Sequence, residues 1–161
     1  SALRLGYPLA SVEAIPRRVV DRFVGVGHPL GLAPLRRDER ILDLGCGCGF
    51  DVFVAAQQTD GRVVGIDLTP EMLAIAKDAL AEVNAPNVEF TQGSIESLPF
   101  EDASFDRIIS NGVLNLVPDK PRAYAEALRV LRPGGTFTVA DLLVIESIPP
   151  DVLENSDAWS T

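Results

Sequence analysis

The chain has 161 residues, 47% of them hydrophobic and 23% charged, which suits one globular domain with a sizeable core. Its net charge of −9 argues against nucleic acid, whose binding leans on Lys and Arg opposite phosphates. There is no unbroken apolar run of about 18 residues and no charged-then-apolar leader, so neither a membrane partner nor a targeting segment is expected, and the location expected is cytoplasmic.

From the N-terminus, Ser11 is placed to cap a helix whose apolar positions Ile15, Val19 and Phe23 recur every four residues, and Gly25-Val26-Gly27-His28-Pro29 ends it. Residues 1–40 read as an N-terminal helical cap. A first strand over 41–44 runs into Gly45-Cys46-Gly47-Cys48-Gly49, followed by a helix over 50–57. A second strand over 62–66 ends at Asp67. Thr69-Pro70-Glu71 then opens a helix with a capping hydroxyl, a proline at the first position and an acid in the first turn. Met72, Ile75, Ala76, Ala79, Leu80 and Val83 fall on one face of it.

Strands over 88–91 and 105–110 come next, then a helix over 121–131 with Tyr124, Leu128 and Leu131 inward. Arg132-Pro133-Gly134-Gly135 turns the chain into a fifth strand over 136–141. Beyond it lie an apolar stretch, Pro149-Pro150 and a helix over 151–159. Strand and helix patterns alternate throughout, which predicts an α/β, Rossmann-like, doubly wound and mainly parallel sheet. Residues 1–161 form one domain, with the core over 41–141 and a short C-terminal segment over 142–161.

The chemistry concentrates after the first strand. A strand that enters a Gly-rich turn and then a helix makes a nucleotide-like cofactor site, because glycine lets the backbone approach a ligand and the helix start faces it with unpaired N–H groups. A dinucleotide fingerprint needs a small residue three places after Gly47, and Phe50 stands there. A nicotinamide-dependent oxidoreductase is therefore disfavoured. Cys46 and Cys48 are too close for a comfortable disulfide and too few for a structural metal site, so no metal is expected.

Asp67, at the end of the second strand, can accept hydrogen bonds from both hydroxyls of a ribose; the alternative is a local helix cap before Thr69. Leu68 and Met72 follow at positions suited to an apolar contact with adenine, although Met72 equally fits the core face of its helix.

The run Asp43-Leu44-Gly45-Cys46-Gly47-Cys48-Gly49 resembles motif I of class I S-adenosylmethionine (SAM) methyltransferases. Gln92-Gly93-Ser94-Ile95-Glu96-Ser97-Leu98-Pro99-Phe100 resembles the segment of that class that holds the adenine edge, with Ser94 in the place of an Asp and Ile95 as an apolar wall. Asn111, leaving the fourth strand, would contact the methionine portion. The resemblance implies SAM as cofactor, S-adenosyl-L-homocysteine as product, and Asp43, Gly45, Cys46, Gly47, Gly49, Asp67, Leu68, Met72, Ser94, Ile95 and Asn111 as the cofactor-binding set.

One subfamily matches further. Leu5-Gly6-Tyr7, Gly25-Val26-Gly27-His28-Pro29, Gly49-Phe50-Asp51-Val52, Gly65-Ile66-Asp67-Leu68-Thr69-Pro70-Glu71-Met72 and the run from Ser110 through Asn115-Leu116-Val117-Pro118-Asp119-Lys120 all look like arsenite methyltransferases. That family carries cysteines at the positions of Val26 and Gly112, and a third would fall beyond Thr161. Thiophilic arsenic needs thiolates, so the resemblance supports the scaffold and cofactor and points to a different small-molecule methyl acceptor. A SAM-binding module with little or no turnover is the alternative reading.

His28 and Tyr7 are the candidates for a general base, against plainer roles as a loop residue and a packed aromatic. The class usually ends with strands six and seven. No such hairpin is readable here, which leaves the fifth strand open to pairing with a second copy.

Overall fold

The computed structural model describes residues 1–143. Five parallel strands lie in the order β3-β2-β1-β4-β5: β1 (Ile41–Leu44), β2 (Val63–Asp67), β3 (Val88–Gln92), β4 (Phe105–Asn111) and β5 (Leu131–Ala140). Helices α1 (Leu9–Glu13) and α2 (Arg17–Val20) precede the sheet, and α3 (Phe50–Ala56), α4 (Pro70–Leu80) and α5 (Lys120–Val130) are its crossovers. The expected helix over 151–159 lies outside the described residues. No helix among those described is long and apolar enough to cross a membrane.

Both faces of the sheet are covered, as a parallel sheet requires. Ile41, Val63 and Ile109 join α3 and α4 in one apolar cluster, while Leu42, Leu44, Val64, Ile66 and Ile108 join α5 in the other. Side chains alternate along each strand, so Asp43 and Asn111 project to the α3 side. The sheet order reverses between β1 and β4, and open α/β sheets bind ligands outside the carboxyl ends of strands at such a point.

Several expectations about the helices need correction. The first helix is broken in two, because Pro16 has no N–H to donate and becomes the N-cap of α2. Ser11 sits inside α1, whose N-cap is Pro8. Along α4 the buried positions are Leu73, Ala76 and Ala79, while Met72 is 37% exposed.

Along α5 the inward face is one residue earlier than expected. Ala123, Ala127 and Val130 are buried, and Tyr124 and Leu128 are exposed. Alanines let the helix lie close to the sheet, and Tyr124 instead covers Phe137 of β5 at 5.9 Å. The Pro133-Gly134-Gly135 turn survives as an irregularity within β5: Phe105 pairs with Leu131, and the ladder resumes at Arg107 with Thr136.

Thr69 is the N-cap of α4 but makes no side-chain cap bond. Its own N–H donates to Asp67 Oδ1 at 2.8 Å.

A buried ion pair ties the approach to β1 onto the sheet. Glu39 receives Arg107 Nε at 3.0 Å, and Arg107 also donates to the carbonyls of Ala33 and Pro34. The Arg36 N–H donates to the other Glu39 oxygen at 2.8 Å. Both ions are thereby hydrogen-bonded as well as paired, the condition under which buried charge is tolerated.

Candidate cofactor cleft

The Gly-rich loop is held in shape by its own backbone. The N–H groups of Gly45 and Cys46 both donate to the Ile66 carbonyl, at 2.8 and 3.0 Å, and that of Gly49 donates to Cys46 at 2.8 Å. Gly47 donates to Asp67 Oδ2 at 2.8 Å. Gly45 has φ +71, and a Cβ there would collide with Val113. Only glycine meets both demands at this position.

Two cavities open along the carboxyl edge of the sheet. One, of about 350 Å³, is lined by the loop, Asp43, Asp51, Asn111 and residues 22–25 of the N-terminal segment. The other, of about 280 Å³, is lined by Leu68, Gly93, Ser94, Ile95 and Glu96. They share Gly45, Asp67, Thr69, Val113 and Leu116. Asp67 thus stands where the two halves of one elongated cleft meet.

Both suggested roles of Asp67 are compatible with what it does here. Its two oxygens accept from Gly47 and Thr69, and an ionised carboxylate has about four acceptor sites. Ser94 and Ile95 line the half beyond Asp67, as does Leu68. Ser94 Oγ also accepts from the Glu96 N–H at 3.1 Å. Met72 lines the other half, outside the core of its helix.

Asn111, at the edge of the first cavity, makes several hydrogen bonds within the protein. Its Oδ1 accepts from the N–H groups of Val26 at 2.8 Å and Gly27 at 3.1 Å. Its Nδ2 donates to Gly27 O and Asp51 Oδ2, both at 2.9 Å, and stands 3.2 Å from the Tyr7 hydroxyl. Asn111, the residue expected to contact the methionine portion, lines the first cavity and also straps residues 26 and 27 to the end of β4. Gly27 permits the approach, since a Cβ there would meet that of Ala140 at 2.6 Å.

Tyr7 donates its hydroxyl to Asp51 Oδ1 at 2.6 Å and is only 3% exposed. Its hydroxyl is therefore pushed well above the usual range, first by burial and then by Asp51. The His28 ring lies against Tyr7 with centroids 3.8 Å apart, and burial lowers its pKa. Neither ring is among the residues lining the two cavities. Phe23 and Phe50 complete the cluster at 4.2 Å.

Asp43 and Asp51 are 3% and 5% exposed and both border the cleft. Burial raises both pKa values; at Asp43 the charges of Asp51 and Asp67 add to it, whereas hydrogen bonds from Tyr7 and Asn111 oppose it at Asp51. Asp51 was absent from the site read in the sequence. Its position in the first turn after the loop, facing the side of the sheet that carries Asp43, was the available signal.

Cys46 and Cys48 are buried, and burial raises both thiols. Cys46 packs over Gly65, and Cys48 points at the Val19 carbonyl, 3.6 Å away.

A family profile described as a methyltransferase domain matches residues 35–161. The chain belongs to the class I SAM-dependent methyltransferases. It is 42% identical over 157 residues to an arsenite methyltransferase of Halobacterium salinarum, covering 96% of this chain and 40% of that protein. It is 33% identical over 139 residues to the 27-O-demethylrifamycin SV methyltransferase of Amycolatopsis mediterranei, covering 86% and 49%.

The crystal structure of an arsenic(III) S-adenosylmethionine methyltransferase from Chlamydomonas reinhardtii superposes with a TM-score of 0.78 at 39% identity, over 89% of this chain and 51% of that one. The chain spans about half or less of the length of these relatives. As in other class I methyltransferases the cofactor is SAM, and an elongated cleft centred on a carboxylate fits a nucleoside joined to an amino acid.

Proposed function

We propose that this domain binds SAM along the cleft and transfers its methyl group to a small organic acceptor. The observation that carries the reading is the position of Asp67, where the two halves of the cleft join. A ribose over Asp67 sends adenine toward Leu68, Ser94 and Ile95 and the methionine portion toward the Gly-rich loop. SAM supplies a methyl group already activated by its sulfonium, so the residues around it have mainly to align and shield the reactants. Val24, Val113 and Leu116 give the methyl end an apolar wall, and the Asn111 strap holds residues 26 and 27 over it.

The acceptor is read from positions 26 and 112. A Cβ on Gly112 would stand 3.6 and 3.8 Å from the Val26 methyls, so these two positions face each other beside the strap. Neither carries a thiol, and the buried Cys46 and Cys48 are poor substitutes because burial disfavours their thiolates. An acceptor attacked at oxygen, nitrogen or carbon suits this surface better than trivalent arsenic. The β5 edge, unpaired on its outer side among the described residues, is where a second copy would add a strand.

The test is transfer of radiolabelled methyl from SAM to a panel of phenols, amines and carbon acids, with arsenite plus glutathione in parallel. Methylation of an organic acceptor with none of arsenite is expected. Efficient arsenite methylation would contradict the acceptor reading, and binding of SAM without transfer to any acceptor would favour the non-catalytic module.

A further inference from the structure

If the cleft holds SAM, its loop half receives the amino-acid end, which carries an ammonium and a carboxylate. Asp43 and Asp51 supply negative charge for the first. For the carboxylate donors are needed, and the Gly-rich loop itself offers one N–H without a protein acceptor among the described residues, that of Cys48, beside those of the first turn of α3. The N–H groups of Gly45, Cys46, Gly47 and Gly49 all have acceptors within the protein. The carboxylate would also face repulsion from Asp43, Asp51 and Asp67 unless a cation stood beside it.

Among the described residues only one Lys or Arg lines either half of the cleft, and it is Arg22. Its backbone is fixed just beyond α2 by a bond from its N–H to the Val19 carbonyl at 3.1 Å. The neighbouring Arg17 and Arg18 are paired with Asp21 and Glu82, at 2.7 and 2.6 Å. Arg22 has no carboxylate partner among the described residues; its one hydrogen bond runs from Nη1 to the Arg18 carbonyl at 3.1 Å. Nε and Nη2 are left for a ligand, and a guanidinium presents donors in a planar fork that matches a carboxylate. Its charge also reaches the loop, where it opposes the rise that burial imposes on the Cys48 thiol.

We infer that Arg22, brought to the cleft by the N-terminal segment, binds the carboxylate of the cofactor's methionine portion. This rests on the SAM reading and extends it to a residue outside motif I. It also gives the segment before the sheet a direct part in cofactor binding, beyond covering the cleft.

Titration calorimetry with two ligands tests it. S-adenosylhomocysteine has the amino-acid end, and 5′-methylthioadenosine has the same nucleoside and sulfur without it. Arg22→Ala should weaken S-adenosylhomocysteine about tenfold, the scale of one charge-assisted contact near the surface, and leave methylthioadenosine within about twofold. Arg22→Lys should recover part of the loss, since it keeps the charge and loses the fork.

Equal weakening of both ligands would overturn the inference, because the change would then act through the shape of the segment. So would unchanged affinity for S-adenosylhomocysteine. A wild-type protein that binds both ligands equally well would defeat it while leaving the SAM reading intact, whereas one that binds neither would defeat both.

Discussion

Asp43 combines near-complete burial, the like charges of Asp51 and Asp67, and no hydrogen-bond partner for its side chain among the described residues. Its folded pKa is raised, so between the unfolded value, about 3.9, and that higher value the native state binds more protons than the unfolded one, and stability falls as pH rises. Asp43→Asn removes the charge at nearly constant shape. The variant should lose much of that decline and, near pH 8, melt about 2–4 °C above wild type, as expected for about 1 kcal/mol in a domain of this size. Its affinity for SAM should fall, since the ammonium loses a carboxylate. Melting curves from about pH 4 to 8 check the first part, and parallel slopes for the two proteins would contradict it.

Among the elements, the N-terminal segment depends on a few polar anchors, and two of them make separable predictions. Asn111→Ala strips the acceptor from the Val26 and Gly27 N–H groups and a donor from Asp51. A loss of about 1–3 kcal/mol follows from the groups left unpaired, and hydrogen exchange should quicken first at Val26 and Gly27. Uniform acceleration across the sheet would mean that Asn111 holds the whole fold and not the strap. Glu39→Ala leaves Arg107 buried without its partner, the two side chains being 3% and 6% exposed. Chemical denaturation should show a loss of about 3–5 kcal/mol; a loss below about 1 kcal/mol would mean that water reaches the guanidinium.

The elements also show what was readable beforehand. The five strands, their parallel sheet and the Gly-rich loop were legible because the central strands β1 and β2 are near-continuous apolar runs and Gly45 has no substitute. The inward faces of α4 and α5 were misjudged because Met72, Tyr124 and Leu128 are large and apolar, whereas close packing on the sheet selected the neighbouring Leu73, Ala123 and Ala127. The Asn111 strap joins positions 84 and 85 residues apart. No local pattern could announce it, and Arg22 was hidden for the same reason, whereas Asp51 had a local signal in its place in the first turn after the loop.

At the scale of the molecule, the sheet's switch point, the N-terminal segment and the segment after β3 each contribute one wall of a single cleft. The account stands on that cleft being a SAM site organised around Asp67. The direct measurement is calorimetric titration of the wild-type protein and of Asp67→Ala with S-adenosylhomocysteine. One equivalent should bind the wild type, and affinity should fall at least about tenfold in the variant, because two hydrogen bonds to a charged acceptor disappear. Absence of binding to the wild type, or equal affinity in both proteins, would contradict the account.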